Sequence, residues 1–273
     1  MYINYLFPNK KAVLALLLLI LGGPTSLSAE ENVTSIRFAY IGSAEDPALQ
    51  GINQGLDEAN LQGRFLGQAY QLDTIAPNRL RKADFSPYIA LLVAADSATL
   101  QTLAESAPNH PIFNLTNGSD PLREACLENL LHIAVSDQMK RDAIAQWREN
   151  NPDEGLTAMA WHPDYVKFAA RDLNKRFKKA YAKDMDDAAW SGWAAVKMTS
   201  DTVARESITG PGEMLDYLKT SLSFDGQKGI DMNFRETGQL RQPLLIIKGT
   251  EIVGEVPVRG KEIDSIGLAL CPK

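Results

Sequence analysis

Three polar side chains follow a short apolar run in the stretch Pro111–Leu131. The run Ile112–Leu115 predicts a buried strand, and Thr116, Asn117 and Ser119 come directly after it. Hydroxyl and amide groups at this position can hydrogen-bond a small ligand, because ligands of open α/β sheets lie outside the carboxyl ends of the strands. Asn-Gly and Ser-Asp-Pro are also common turn sequences, so a plain turn is the alternative interpretation.

Other predicted strands also end in polar residues. Ser43 follows the first predicted strand, and Asp96 with Ser97 follows the third. In a parallel sheet these loops meet at the same edge as the loop that contains Thr116. The sequence therefore predicts a ligand-binding edge that Ser43, Asp96, Ser97, Thr116, Asn117 and Ser119 would line.

The sequence contains none of the common catalytic signatures. It lacks a Gly-x-Ser-x-Gly elbow, a phosphate-binding glycine loop, His-Glu-x-x-His and Cys-x-x-Cys. The histidines His110, His132 and His162 lack the spacing of metal ligands. We therefore expect a protein that is not an enzyme and carries no metal or cofactor.

One acidic group, Asp184, Asp186 and Asp187, could offer oxygen ligands to a cation. It lacks the twelve-residue calcium-loop spacing. Acids at the start of the helix predicted from Ala188 are also favoured by its dipole, so helix capping is the preferred interpretation.

Strands and helices alternate through the first part of the chain. The predicted strands are Ser35–Ile41, Ala69–Ile75, Tyr88–Ala94 and Ile112–Leu115, with helices from Pro47 and Ser97. This alternation predicts an α/β fold with a doubly wound parallel sheet and right-handed connections. The later part predicts helices at Asp137–Glu149, Pro163–Lys183, Ala188–Glu206 and Glu213–Ser221, a strand at Leu156–Trp161, and closing strands at Ile230–Phe234, Leu244–Lys248 and Ile252–Val258.

The first 29 residues have the layout of a cleavable secretory signal. Lys10 and Lys11 precede the apolar run Ala12–Leu21, and small residues follow as far as Ala29. The run is shorter than the roughly 20 residues that span a bilayer. We therefore expect export to the periplasm and no stable membrane span after cleavage, with a retained anchor as the alternative.

Charge and cysteine content also restrict the function. The net charge of −6 at pH 7 argues against nucleic-acid binding. In an exported protein the two cysteines, Cys126 and Cys271, predict a disulfide, with two free thiols as the alternative. Closing so long a loop would contribute about 4–5 kcal/mol in the chain-entropy model.

The order of several segments resembles the type I periplasmic solute-binding proteins of ABC transporters, of the branched-chain amino-acid-binding kind. These segments are the early helix with Gly51, Gly55 and Leu56–Asn60, then Leu66-Gly67, the loop Thr116–Leu122, the helix Ala188–Met198, and the closing pattern Phe224-Asp225-Gly226, Gly229, Phe234, Gly238 and Pro243. Together they cover nearly all of the chain after residue 29.

Three shorter segments resemble one subfamily, the binding proteins encoded with PQQ-dependent alcohol dehydrogenase systems. They are Asn129–His132, Leu173–Phe177 and Gly238–Pro243. Members of this subfamily also carry cysteines near the positions of Cys126 and Cys271.

The resemblance implies two lobes, and the chain departs from that pattern in one interval. Only about a dozen residues, 150–161, stand where the family has several strand–helix units. We therefore expect a first lobe at 34–135 and 162–223, and a much reduced second lobe at 136–161 and 224–273 that ends in a β-hairpin. Trp161 and His162 would lie at the crossing, either covering a ligand or packing the hinge.

The implied function is that of a periplasmic substrate-binding component of an ABC-type transporter, linked to PQQ-dependent alcohol oxidation. It would bind a small organic solute, with contacts for a ligand carboxylate and amine near the loops named above. Its partners would be an ABC permease or a periplasmic quinoprotein dehydrogenase. The alternative is a ligand-free accessory protein on the same scaffold, docking through the carboxyl edge of its sheet.

Overall fold

A buried parallel sheet of five strands forms the centre of the structure, a computed structural model that describes residues 33–272. The strands lie in the order β2-β1-β3-β4-β5. Their bounds are β1 Thr34–Ile41, β2 Gln68–Thr74, β3 Ala90–Val93, β4 Ile112–Asn114 and β5 Leu130–His132. Every pairing is parallel, as the sequence predicts, and β5 extends the predicted sheet by one strand. The predicted signal peptide, residues 1–29, lies outside the described residues.

Helices cover this sheet and connect its strands. Their bounds are α1 Pro47–Leu66, α2 Ser97–Ser106, α3 Asp120–Glu124, α4 Asp137–Arg148, α5 Ala170–Tyr181, α6 Asp187–Glu206 and α7 Pro211–Thr220. The carboxylates of Asp46 and Asp96 cap α1 and α2 by accepting backbone N–H bonds from Ala48 and Thr99, both at 2.8 Å. All four residues of β3 are buried, as expected for a strand covered on both faces.

The helix predicted at Pro163–Lys183 is wrong at its start, because α5 begins only at Ala170. Residues 163–169 form turns instead. The side chain of Asn174 donates to the carbonyl oxygens of Pro163 and Tyr165, at 2.8 and 3.2 Å. These hydrogen bonds stabilise the turns that precede the helix. Within this segment Phe168 has φ 51° and is 64% exposed.

A second, antiparallel sheet lies in the order β6-β7-β8. Its strands are β6 Leu156–Met159, β7 Leu244–Lys248 and β8 Glu251–Val256, so the predicted C-terminal hairpin is present. The strand predicted at Ile230–Phe234 is wrong, since this segment forms only isolated bridges, Phe224 with Met232 and Phe234 with Leu240. The left-handed residues Gly229 and Gly238 bend the chain on either side of the segment.

The predicted disulfide between Cys126 and Cys271 is present, with Cα atoms 6.0 Å apart. The bridge links the segment that contains Cys271 covalently to the chain just after α3. The same segment is bonded to α4, because the backbone N–H of Gly267 donates to Asp142 at 2.7 Å. Buried Arg235 donates to the carbonyl oxygens of Ile266 and Leu268, at 2.9 and 3.3 Å.

Glycines let α1 and α6 cross with their backbones in contact. A Cβ atom built on Gly51 would overlap the carbonyl oxygen of Ala189, and one on Gly192 would overlap that of Ala48. Trp193 adds a bond from its indole N–H to Glu58 Oε2 at 2.9 Å. Through this crossing the second half of the chain packs on the first sheet.

Replacing Gly51 with alanine should therefore destabilise the protein by about 3 kcal/mol or more, because the helices must separate to admit the methyl group. Urea unfolding measures the loss. Gly212→Ala is the matched control, since a Cβ there meets no atom within 4 Å and should leave stability unchanged or slightly raised. Equal stability of the two variants would contradict the proposed role of this crossing.

Candidate functional site

A small polar cavity lies where the carboxyl ends of β4 and β5 meet the N-terminal ends of α4 and α6. Its volume is about 100 Å³. Its lining residues come from four places in the chain: Leu115 and Thr116, Ala134 and Val135 with Lys140, Ala160, and Asp187, Ala188 and Ser191. The cavity thus occupies the edge at which open α/β sheets bind ligands.

The polar groups of this cavity include both signs of charge. Lys140 contributes an ammonium from α4, Asp187 a carboxylate from α6, and Thr116 and Ser191 contribute hydroxyls. Within residues 33–272 neither charged side chain forms an ion pair within 4.0 Å. An ammonium, a carboxylate and two hydroxyls can each hydrogen-bond a polar guest in this cavity.

Two adjacent aspartates at the start of α6 have different roles. Asp186 caps the helix by accepting from the backbone N–H of Ala189 at 2.8 Å, as the capping interpretation predicts. Asp187 turns inward, and its Oδ1 accepts from the backbone N–H of Trp161 at 2.7 Å. Burial raises the pKa of the Asp187 carboxyl. Over the residues that the structure describes, no cluster of histidine, cysteine and acidic side chains could hold a metal ion.

Buried Arg123 fixes the loop that carries Thr116. Its Nη1 donates to the carbonyl oxygens of Asn117 and Ser119, at 2.8 and 3.0 Å, and its Nη2 donates to that of Ala134 at 2.7 Å. Its Nε donates to Gln239 Oε1 at 2.9 Å. Burial lowers the pKa of the guanidinium to about 10, and it remains charged near neutral pH. One side chain thus holds the loops after β4 and β5 together.

Gln239 and His132 extend this network to the C-terminal part of the chain. Gln239 Nε2 donates to the carbonyl oxygens of His132 and Ala134, at 3.1 and 3.2 Å. The Asn114 amide lies 3.0 Å from His132 Nδ1. Burial, together with the positive charge of Arg123, lowers the pKa of His132 well below its ordinary value, so the ring is neutral.

Lys228 lies buried near Asp187. Its Nζ donates to Gln242 Oε1 at 2.9 Å and to the carbonyl oxygen of Pro243 at 3.2 Å. It also lies 4.2 Å from the ring centroid of Trp190. Burial lowers the pKa of this ammonium to about 7, against the attraction of Asp187.

The structure brings some of the predicted site residues together. Thr116 lines the cavity. Asn117 donates from its Nδ2 to Ser97 Oγ at 3.3 Å and accepts from the backbone N–H of Ser119 at 3.0 Å, so these three residues form one cluster in the adjoining loops. Ser43 is exposed in the turn after β1, where its hydroxyl accepts from the N–H of Glu45 at 3.2 Å.

The remaining predicted residues have local roles. Asp96 is exposed and caps α2. Trp161 is 1% exposed, stacks on Trp190 with ring centroids 5.8 Å apart, and donates from Nε1 to Asn174 at 2.8 Å. His162 is also buried, and its Nδ1 accepts from the N–H of Asp164 at 3.2 Å. Both aromatic side chains are therefore packed in the segment between β6 and α5.

Sequence reasoning missed Lys140, Asp187 and Ser191 as members of the site. Lys140 lies in the first turn of a predicted helix, where it reads as an ordinary solvent-facing lysine, and Ser191 falls among apolar residues of another helix. In the sequence, Asp187 stood out only as a member of the acidic group Asp184, Asp186 and Asp187. A polar residue on the otherwise buried face of α6 was the one signal available for Ser191.

Comparisons with known proteins place the fold. No family model matches the chain, and no curated protein matches it significantly. Solved structures do match over most of its length. One is the branched-chain amino acid transporter substrate-binding protein LivJ from Streptococcus pneumoniae in complex with isoleucine, at 10% identity and TM-score 0.64, covering 82% of this chain and 98% of that one.

Two further structures agree with this likeness. An ABC transporter substrate-binding protein from Desulfitobacterium hafniense has 13% identity and TM-score 0.68, covering 80% of this chain and 98% of that one. A solute-binding protein from Rhodopseudomonas palustris in complex with benzoate has 11% identity and TM-score 0.59, covering 81% and 95%. The chain therefore has the type I periplasmic binding protein fold.

Replacing Lys228 with methionine should change how stability depends on pH. The unfolded chain keeps the lysine proton up to about its ordinary pKa of 10.5, whereas the folded protein releases it near 7. The unfolded state thus binds more protons between these values, and stability should rise with pH by up to about 1.4 kcal/mol per unit from this group alone. Lys228→Met should remove that rise.

Urea unfolding at several pH values across this window measures the slope. Lys219→Met, at an exposed position of α7, is the matched control and should keep the wild-type slope. A wild-type slope in Lys228→Met would show that the buried amine does not titrate in this range.

Proposed function

We propose that this protein is a non-enzymatic solute-binding protein that holds a small organic solute in the cavity at the carboxyl edge of its parallel sheet. The observation that carries the proposal is the convergence of an ammonium, a carboxylate and two hydroxyls, from Lys140, Asp187, Thr116 and Ser191, at the carboxyl ends of two strands. Binding proteins of this fold with isoleucine and benzoate support it.

We assign it to the periplasm, as the substrate-binding component of an ABC-type transporter. The signal-like residues 1–29 support export, and the structures similar to this chain belong to ABC transporters. Among residues 33–272 there is no helix with the length and apolarity needed to cross a bilayer. The link to PQQ-dependent alcohol oxidation rests on the subfamily resemblance at Asn129–His132, Leu173–Phe177 and Gly238–Pro243.

The proposed division into lobes gives the site a way to open. The cavity lies between residues of the first lobe, 34–135 and 162–223, and residues of the second, 136–161 and 224–273. Thr116, Asp187 and Ser191 belong to the first part, while Lys140 and Ala160 belong to the second. A rotation about the segment at Trp161 and His162 would separate Lys140 from Thr116 and admit a solute.

A thermal-shift screen of the purified protein against short acids, amino acids, alcohols, PQQ and Ca²⁺ tests the proposal. A solute at about 100 times its Kd should raise the melting temperature by roughly 5–10 °C, because it binds the native state alone. Thr116→Val together with Ser191→Ala should abolish the shift. Ser43→Ala, outside the cavity, should retain it.

A second candidate function is that of a ligand-free accessory protein. It is favoured by exposed apolar side chains one turn apart on α1, Leu61 at 61% and Phe65 at 86% exposure. These residues lie at the end of α1 away from the carboxyl edge, so the docking surface would differ from the expected one. No shift with any solute, together with co-purification of a dehydrogenase that Phe65→Ser prevents, would favour this function.

A further inference from the structure

A second cavity lies apart from the one at the carboxyl edge of the parallel sheet. Its volume is about 310 Å³, within the range of roughly 300–1,000 Å³ that small-molecule pockets occupy. It lies between the turn before α5, the bend at Gly229 and the chain that follows β8. Within residues 33–272 the two cavities share no lining residue.

The wall of the second cavity is mainly apolar. Its apolar members come from four segments of the chain: Phe168, Ile230, Pro243, and Pro257 with Ile263. Phe168 is 64% exposed and Ile230 is 39% exposed, so two large apolar side chains remain uncovered beside the same cavity. Single exposed apolar side chains are common, whereas a group of them around a concave site marks a binding surface.

The conformation of Phe168 is a second, independent observation. Its φ of 51° lies in the left-handed region, which bulky residues rarely adopt. Its ring lies against the backbone of Gly229, where a Cβ atom would overlap three ring atoms. The fold thus holds an aromatic residue in a disfavoured conformation and leaves it mostly exposed. Strained residues cluster at ligand sites, because strain persists only where the surrounding structure enforces it.

The charged groups on the rim of the second cavity are already paired. Lys167 forms an ion pair with Glu255, and Lys261 forms one with Glu149 at 2.9 Å. A charged ligand would therefore lose its hydration without gaining an unpaired partner on this rim. The rim favours an uncharged ligand.

The buried amine of Lys228 is engaged as well. Its Nζ donates to Gln242 and to the carbonyl oxygen of Pro243, and it lies 4.2 Å from the ring centroid of Trp190. The charge of Asp187 attracts the same amine. Lys228 therefore contributes its methylene groups to the lining rather than a free charge.

We propose that the second cavity binds a small uncharged aromatic molecule. This inference goes beyond the proposed function, because it uses none of the residues that line the first cavity. The ring of the ligand packs against Phe168 and the two prolines, near the ammonium groups of Lys167 and Lys261. Aromatic pairs and lysine–ring contacts add to the gain from apolar burial, so an aromatic ring is favoured over an aliphatic group of similar size.

Two-dimensional NMR of the ¹⁵N-labelled, disulfide-bonded protein tests this inference with four probes. Benzyl alcohol should shift the backbone amide signals of Phe168, Gly229 and Ile230 until they saturate. Cyclohexylmethanol has a similar size without the aromatic ring, and it should bind at least about threefold more weakly. Benzoate and benzylamine carry opposite charges, and each should bind at least about tenfold more weakly than benzyl alcohol.

Two phenylalanine variants identify the site. Phe168→Asn should weaken the binding of benzyl alcohol by about tenfold or more. Its melting temperature without ligand should be unchanged or raised, because asparagine tolerates the left-handed conformation better than phenylalanine does. Phe65→Asn is the matched control on α1, where Phe65 is 86% exposed, and it should bind benzyl alcohol as the wild type does.

The outcomes distinguish this site from the first cavity. Saturable shifts at Thr116 and Ser191 in place of Phe168, Gly229 and Ile230 would overturn the second site and leave the solute-binding function standing. Wild-type affinity in Phe168→Asn, or no saturable binding of benzyl alcohol, would also overturn it. If benzoate, benzylamine or cyclohexylmethanol binds as tightly as benzyl alcohol, the uncharged aromatic class is overturned.

Discussion

The close crossing of α1 and α6 is the constraint on which the rest of the structure depends. It joins residues about 140 positions apart in sequence, and it requires backbone contact at Gly51 and Gly192. Because α6 is a rigid rod, the crossing also fixes where that helix begins. The N-terminus of α6 is thereby held at the carboxyl edge of the sheet, with Asp187 and Ser191 facing the end of β4. The cavity is a consequence of how the two helices pack.

A second set of contacts joins the ends of the strands to the last part of the chain. Arg123 and Gln239 both bond the carbonyl oxygen of Ala134, and Gln239 lies beside His132 at the edge of the sheet. In a satisfied buried polar network of this kind, each member fixes the orientation of its neighbours. Here they fix the loop that presents Thr116. Thr116 is therefore held in place by the ends of the sheet strands, whereas Lys140 reaches the cavity from α4.

The parallel sheet could be predicted from the sequence because its strands are short apolar runs separated by well-capped helices. These local patterns form the same elements in the folded protein. It also predicted the disulfide and the Thr116 loop. It did not reveal Lys140, Asp187 or Ser191, since their proximity depends on helix packing between distant segments. The late start of α5 was missed for a similar reason: Asn174, inside the helix, bonds the carbonyl groups of the turn that precedes it. Trp161 was read as a possible ligand cover because sequence cannot show that Trp190 stacks on it.

The separation of the two bridged cysteines along the chain has a consequence for biosynthesis. Cys126 is translated 145 residues before Cys271, so its thiol cannot pair with Cys271 until all the intervening chain has been made. The bridge can therefore form only after the strands and helices between the two cysteines have been synthesised. A product that terminates before Cys271 retains the crossing of α1 and α6 but lacks the covalent link beside α3.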